Sequence, residues 1–375
     1  MIKQALLDNL KNLRGWRAPR KFVAFAVDDY CSVRVASAKA LGNLQRAGLD
    51  ISGRFDRLDA VETRQDLEAL FTVLDSVRGG DGRPAIFTAY ALSANPDFAR
   101  IREGGKNYEY ESVPQTFARL SYEQRPAYEG AWALWQEGIR KGLIQPQFHG
   151  REHFNVDLFE HKLRSGSTEL RVNLENNSVA ALSGEPSMPG VGFTHAFGLH
   201  ARSELARHEE ILRNGLDLFQ KVWGLRSVTF TPPALQLHPS LYRVVEEGGV
   251  RSIDKPLRCV RAMGNGEQRR EMNHSGRQRG QVHMTVVRNV VFEPCTDMGV
   301  EPVEHATAQV AAAFRWGRPA IISSHRVNYG GHLDEANRTY GLDALRRLLR
   351  RIVERWPEVE FVSVDQLIDR MEAVE

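Results

Sequence analysis

The stretch Phe22-Val23-Ala24-Phe25-Ala26-Val27, followed by Asp28-Asp29-Tyr30, decides the fold of this chain. Six consecutive apolar residues that end in two acids predict a strand buried on both faces, with polar groups at its end. Residues 35–47 then carry a helical pattern of apolar residues. Together the two segments predict one strand–helix unit, the building block of a parallel sheet covered by helices.

The same order recurs along the chain. Further strands are predicted at 84–90, 145–149, 228–230, 320–323 and 360–363, and helices at 66–77, 203–223, 303–314 and 342–356, with a short helix ending near 371. This alternation predicts an α/β fold, a (β/α) barrel or incomplete barrel, in which sites lie at the C-terminal ends of strands. We expect one catalytic domain over 1–375, interrupted by an insertion at 93–142 and a basic loop at 264–280.

Composition narrows the class of protein. The 375 residues are 42% hydrophobic, enough for a large core, and 50 basic against 47 acidic residues leave a net charge of +3. Such a balance gives no reason to expect a nucleic acid partner. Three cysteines without a CxxC pair argue against a disulfide framework, and neither a signal peptide nor a membrane-spanning stretch is evident. The cytoplasm is the expected location.

The first residues are amphipathic. Ile2, Leu6, Leu10 and Leu13 lie near helical spacing, and the basic residues Lys3, Lys11 and Arg14 are interleaved with them. This pattern favours a helix packed on the domain, and a helix lying on a membrane surface is the alternative.

Asp28 and Asp29 stand together at the end of the first strand. Adjacent carboxylates repel each other unless a positive charge lies beside them, and a divalent cation supplies that charge. Successive residues of a strand point in different directions, so one carboxylate can bind the metal while the other acts as a base. The alternative is that the pair caps a helix or a turn.

His149 and His153 follow the strand at 145–149 with a spacing of four residues, which suits two ligands of one metal. With Asp29 they form a set that fits zinc, iron, cobalt or nickel, and the sequence does not choose among these. His325 closes the apolar strand at 320–323 and is the candidate general acid, because its pKa lies near neutral pH. Structural roles for these histidines are the alternative.

The order of these motifs resembles that of the polysaccharide deacetylases, the NodB-homology group of carbohydrate esterases. The first motif of that family is similar to residues 28–30, with Tyr30 where glycine is usual, and its second to residues 149–153. Its third motif, aromatic-Arg-Pro-Pro-Tyr, is partly matched by residues 230–234, with Thr231 in place of the arginine. Its later strand ending in histidine is similar to residues 321–325, and its closing strand and helix to residues 361–367.

The resemblance implies a NodB-type barrel and assigns roles in the site. Asp28 would be the base and His325 the acid, and the metal, with zinc expected first, would be held by Asp29, His149 and His153. The backbone N–H of Ala234 would bind the oxyanion, with Tyr30, Thr231 and Pro233 beside the substrate. The absent arginine supports the catalytic acidic residue in the family, and Arg151 and Arg326 are the candidates to replace it.

The implied reaction is removal of an N- or O-acyl group, expected to be acetyl, from a sugar. A nucleotide-linked or lipid-linked sugar of surface-polysaccharide (O-antigen or lipopolysaccharide) biosynthesis is the expected substrate. Two alternatives remain. Residues 149–153 also satisfy His-x-x-Glu-His, a zinc-peptidase signature in which Glu152 is the base. An impaired, sugar-binding relative of the deacetylases is the other. His195 and His200 are further candidates to line the cleft.

Overall fold

The structure, a computed structural model, describes residues 2–105, 107–277 and 283–373. The strands are β1 (Phe22–Tyr30), β2 (Phe87–Ala91), β3 (Ala94–Pro96), β4 (Tyr110–Ser112), β5 (Ile144–Phe148), β6 (Thr229–Phe230), β7 (Ser252–Asp254), β8 (Arg258–Gly264), β9 (Glu267–Met272), β10 (Gly276–Arg277), β11 (Met284–Val286), β12 (Val290–Val291), β13 (Ala320–His325) and β14 (Glu360–Phe361). The helices are α1 (Ile2–Leu10), α2 (Ala38–Arg46), α3 (Arg54–Leu58), α4 (Arg64–Asp75), α5 (Phe98–Gly104), α6 (Val113–Glu123), α7 (Arg125–Tyr128), α8 (Ala131–Arg140), α9 (Val156–Ser165), α10 (Thr168–Glu175), α11 (Leu205–Trp223), α12 (Tyr242–Glu247), α13 (Pro302–Arg315), α14 (Glu335–Arg355) and α15 (Val364–Glu372).

The main sheet is almost wholly parallel. Its strands run in the order β10-β11-β7-β6-β5-β2-β1-β13-β12, and β14 also pairs with β1. Within it, β10 and β11 are antiparallel and the other pairs are parallel. This confirms the predicted α/β class, since parallel neighbours need crossover connections such as the helices supply here.

One piece of chain joins the two ends of this sheet. Met284 pairs with Ser252 of β7, and six residues later Val290 pairs with Ile322 of β13. We call residues 284–293 the seam segment. Because this segment bridges the first and last parallel strands, the predicted barrel of incomplete type is confirmed.

Both faces of β1 are buried, as its apolar run predicts. Phe22, Ala24 and Ala26 pack inside the barrel in a cluster that includes Val364 of α15, whereas Val23, Phe25 and Val27 join the larger cluster beneath the outer helices. The strand therefore cannot slip by one residue without exchanging these two environments. This register decides which way the residues at its end point.

Two stretches expected to lie outside the scaffold carry regular structure. The insertion at 93–142 holds the β3–β4 pair and α5 to α8, and α8 packs on α4 and β5 as the crossover between β2 and β5. The expected basic loop at 264–280 begins with β9, which pairs with β8; residues 278–280 lie outside the described residues. β9 is mostly solvent-exposed, so no apolar alternation marks it in the sequence.

Two further findings concern the whole described chain. Cys31, Cys259 and Cys295 are free thiols. No helix within residues 2–105, 107–277 and 283–373 combines the length and apolar character needed to span a membrane.

Candidate active site

A bulge at the end of β1 presents Asp28 and Asp29 to the same cavity. The pairing of β1 with β2 shifts register between Val27 and Tyr30, and Asp29 adopts a left-handed backbone with φ of 74°. Asp28 continues the inward-facing series of β1, and the bulge turns Asp29, which would otherwise point outward, toward the site. Both carboxylates line a cavity of about 520 Å³ at the C-terminal ends of the strands. A non-glycine residue with positive φ stores backbone strain, which is common at functional sites.

Asp29, His149 and His153 come together as a ligand set. Asp29 Oδ1 lies 3.3 Å from Nε2 of His149 and 3.0 Å from Nε2 of His153, and the three ligand atoms lie within 4.8 Å of one another. His149 Nδ1 lies 2.7 Å from the carbonyl oxygen of Thr231, which only accepts, so Nδ1 carries a proton. Nε2 faces Asp29, where it donates to the carboxylate when protonated and can bind a cation when not. Gly150, with φ of 110°, makes the turn between the two histidines.

The electrostatics of this set suit a cation. Burial alone would raise the pKa of the Asp29 carboxyl, but His153 and the hydrogen bonds from both histidines hold it well below its usual value. Burial lowers the pKa of His153. One carboxylate and two neutral imidazoles are the donor set of many divalent metal sites, and the fixed tautomer of His149 is the arrangement that second-shell contacts give to metal-binding histidines.

Arg288, in the seam segment, forms hydrogen bonds with Asp28, the predicted base. Its guanidinium donates to both oxygens of Asp28, at 2.6 Å and 2.7 Å, and its Nε donates to Asp254 at 2.5 Å. Arg288 also donates to the hydroxyl of Thr231 at 2.9 Å. Burial alone would raise the pKa of Asp28, but the charge of Arg288 and the nearby His149 lower it. Asp28 is therefore ionised at neutral pH, as a general base must be.

Arg288 takes the place that we expected Arg151 or Arg326 to fill. Arg326 is buried against Asp59 and Glu62, and Arg151 pairs with Glu152, so neither is bonded to Asp28. In the sequence, Arg151 lies within the second motif and Arg326 follows His325. Arg288 lies in none of the motifs found in the sequence. It reaches the site because it lies in the connection between β11 and β12.

His325 is held by Glu293, the acid of the seam segment. Its Nδ1 lies 2.6 Å from Glu293 Oε1, and its Nε2 lies 3.9 Å from Asp28. Burial alone would lower the pKa of His325, but Glu293 raises it to about 9. Glu293 is fixed in turn by Asn328 and Arg54, each at 2.7 Å. His325 is thus protonated at neutral pH, with Nε2 turned toward the site.

The predicted oxyanion residue lies in strained backbone. Ala234 and Leu235 have consecutive positive φ values of 53° and 56°, which L-residues rarely adopt, and both line the cavity. Within the described part of the chain, no acceptor is bonded to the N–H of Ala234. That N–H is available to a ligand. Thr231 lines the cavity beside it and donates to Asp254.

Other predicted site residues lie further back. Tyr30 is buried with its ring against Trp135, and Pro233 is buried beside Gly150; neither lines the cavity. His195 accepts a hydrogen bond from the N–H of Gly192 at Nδ1. Like His200, it lies outside the ligand set.

Comparisons with known proteins give a distant likeness. No family model matches the chain, and no curated protein matches its sequence. A solved structure described as a polysaccharide deacetylase from Mycobacterium smegmatis is 12% identical with a TM-score of 0.47, over 96% of this chain and 93% of that one. A peptidoglycan deacetylase from Bacillus subtilis is 11% identical with a TM-score of 0.34, over 95% and 93%. A 4-alpha-glucanotransferase from Thermococcus litoralis is 8% identical with a TM-score of 0.46, over 93% and 40%. Deacetylases are thus among the structures to which this chain shows a distant likeness.

Proposed function

We propose that this protein is a metal-dependent hydrolase that removes an acyl group, expected to be acetyl, from a nitrogen or oxygen of a sugar. One observation carries the proposal. Three metal-ligand atoms, an ionised carboxylate and a protonated histidine surround one cavity at the C-terminal ends of the strands. The resemblance of the sequence motifs to those of the polysaccharide deacetylases supports an acylated sugar as the substrate.

Asp29, His149 and His153 would hold one divalent cation, with zinc expected first and iron, cobalt or nickel as alternatives. When bound, such an ion polarises an acyl carbonyl and lowers the pKa of a water molecule. The fit rests on the chemistry of the three donors and on the tautomer that Thr231 imposes on His149.

The residues of the chain supply the proton transfers. Asp28, kept ionised by Arg288, would accept a proton from the attacking water, whose oxygen forms a bond to the acyl carbon. The N–H of Ala234 would donate to the oxyanion that develops on the former carbonyl oxygen. His325 would then give the proton on Nε2 to the leaving nitrogen or oxygen as its bond to the acyl carbon breaks. The products are a carboxylate and a free amine or hydroxyl.

The walls of the cavity suit a sugar. Phe55 and Leu235 present apolar surface, and Arg34 and Asp59 present polar groups. A nucleotide-linked or lipid-linked sugar of surface-polysaccharide biosynthesis, in the cytoplasm, stays the proposed setting.

The test is deacylation by the metal-loaded protein. Release of acetate from a panel of N- and O-acetylated sugars and nucleotide sugars would be measured for the parent, Asp28→Asn and Glu152→Gln. We expect Asp28→Asn to lose about a hundredfold or more of kcat, the usual scale for a general base, and Glu152→Gln to retain activity.

Glu152 gives this test its contrast with a peptidase. It is buried against Arg151 and does not line the cavity, so a base at this position would not reach the substrate. Peptide hydrolysis that depends on Glu152 and not on Asp28 would overturn the proposal.

A further inference from the structure

An exposed apolar face lies beside the catalytic cavity. On α1 and just after it, Leu6, Leu10 and Leu13 are 58%, 49% and 45% exposed, and on the β8–β9 hairpin Val260 and Met272 are 51% and 64% exposed. We call these residues, with the arginines described below, the docking face. Single exposed apolar residues are ordinary, but a cluster of this kind marks an interaction surface.

A groove runs between the two parts of the docking face. It has a volume of about 530 Å³, and its walls include Leu7 and Leu10 from α1 and Met272 from the hairpin. Leu257 lines this groove and also lines the catalytic cavity. The groove of the docking face therefore neighbours the catalytic cavity.

The docking face carries arginines that pair with no acid among the residues the structure describes. Arg14 and Arg258 line the groove, and Arg270 stands opposite Val260 in the hairpin, on the same side as Met272. All three are exposed, and among the described residues none has a carboxylate within ion-pair distance. By contrast, the nearby Arg269 and the buried Arg261 both pair with Glu271. Asp8, the acid of the groove, is buried and paired with Lys11.

We propose that the docking face binds the surface of a membrane that contains anionic lipids. Leucine side chains rimmed by unpaired arginines match an interface whose headgroups are negative and whose acyl chains begin a few ångströms below. A second copy of the chain is a poorer occupant, because a two-fold interface through this face would bring the arginines of one copy against those of the other. Docking brings the mouth of the catalytic cavity to the level of the lipid headgroups.

The experiment is vesicle co-sedimentation of the full chain, and it needs no turnover. The parent protein is mixed with vesicles of phosphatidylcholine alone and with vesicles in which about 30% of the lipid is phosphatidylglycerol. The second kind has a negative surface that attracts basic protein surfaces. We expect binding to the anionic vesicles that weakens as salt rises. We expect Arg258→Gln/Arg270→Gln to weaken binding by about tenfold or more, since each arginine near such a surface contributes roughly a factor of five. We expect a similar loss in Leu6→Gln/Leu10→Gln, because binding strength also scales with the apolar area that enters the membrane.

Matched controls separate this face from the rest of the surface. Arg346→Gln/Arg350→Gln removes two arginines from α14, and Tyr122→Gln removes a 91% exposed aromatic side chain from α6. Both should bind as the parent does, and all variants should keep its thermal unfolding midpoint. Failure of the parent to bind anionic vesicles, equal binding by the docking-face variants, or a dimer that the leucine substitutions dissociate would each overturn the proposal. Deacylation of a water-soluble substrate is unaffected in every case, so the proposed function is judged separately.

Discussion

The two halves of the site differ in where their support comes from. The metal half consists of Asp29, His149 and His153, which lie at or just past the ends of buried strands. His149 is oriented by the carbonyl of Thr231, which follows the neighbouring strand β6. In the proton-transfer half, Asp28 and His325 also end strands, but the groups that set their charge, Arg288 and Glu293, come from the seam segment. Arg288 lies 260 residues from the carboxylate it holds.

The difference teaches how the fold divides the chemistry. A metal set needs donor atoms in the right places, and short local motifs provide them. A base that stays ionised and an acid that stays protonated in one cavity need opposite electrostatic surroundings. The seam segment supplies both, an arginine for Asp28 and a carboxylate for His325, because it pairs first with β7 and then with β13.

The largest expected effect breaks the metal half. Asp29→Ala, His149→Ala and His153→Ala should each lose most bound metal, since removal of one of three protein ligands leaves coordination incomplete. Deacylation should fall by more than about a hundredfold in each. Metal content by mass spectrometry and acetate release by the same preparations are the measurements. His200→Ala, at a candidate histidine outside the ligand set, is the control and should keep its metal. Full metal content in all three ligand variants would dismiss the site.

The next prediction moves the arginine of the proton-transfer half. Arg288→Ser should lower kcat by about a hundredfold, because Asp28 and Asp254 would share a buried site without the arginine that pairs with both, and the pKa of Asp28 would rise. The double variant Thr231→Arg/Arg288→Ser puts an arginine at the position where the deacetylase motif has one, beside the space that Arg288 occupied. We expect it to recover at least about tenfold of the loss.

Thermal unfolding of each variant is the control for this experiment, since removal of one partner of a buried ion pair lowers the free energy of unfolding by about 3 to 5 kcal/mol. Recovery of both stability and kcat in the double variant would show that the charge matters more than its origin in the chain. An active Arg288→Ser enzyme with an unchanged acidic limb in its pH profile would contradict the role of Arg288.

A smaller effect is expected when Glu293, the residue that supports His325, is changed. With its pKa raised to about 9, His325 is protonated below that pH, and kcat should fall as pH rises through it. Glu293→Gln removes the charge that raises the pKa, so this basic limb should move toward about 6.5, the ordinary value for histidine. At pH 8 the loss should be roughly thirtyfold, and at pH 6 it should be slight. Glu304→Gln, exposed on α13, is the control, and an unmoved basic limb in Glu293→Gln would reject the pairing.

The same division explains what could be predicted from the sequence. Apolar runs mark the strands of Asp28 and His325, and the predicted strand before His149 lies within one residue of β5. β1 and β13 continue past their apolar runs to Tyr30 and His325, because the polar residues at their ends still pair with neighbouring strands. β11 and β12 have three and two residues, which is too few to show the two-residue alternation of a strand. The sequence therefore does not predict the seam segment or the roles of Arg288 and Glu293. α14 begins at Glu335, seven residues before its predicted start, because its first turns are polar and the Asp334 cap is the sign of its beginning.

The smallest expected effect tests the backbone between the two halves. Ala234 adopts a φ of 53°, which glycine adopts freely, alanine at some cost and valine only with severe strain. Ala234→Gly keeps the N–H and the local conformation, so kcat should change by less than about threefold. Ala234→Val should pull the backbone toward negative φ, turn the N–H partly away from the oxyanion and lower kcat by about tenfold, with little change in KM because the contact forms in the transition state. Metal content should equal that of the parent in both variants, which separates this residue from the ligand set. Equal kcat in the glycine and valine variants would mean that the oxyanion is bound elsewhere.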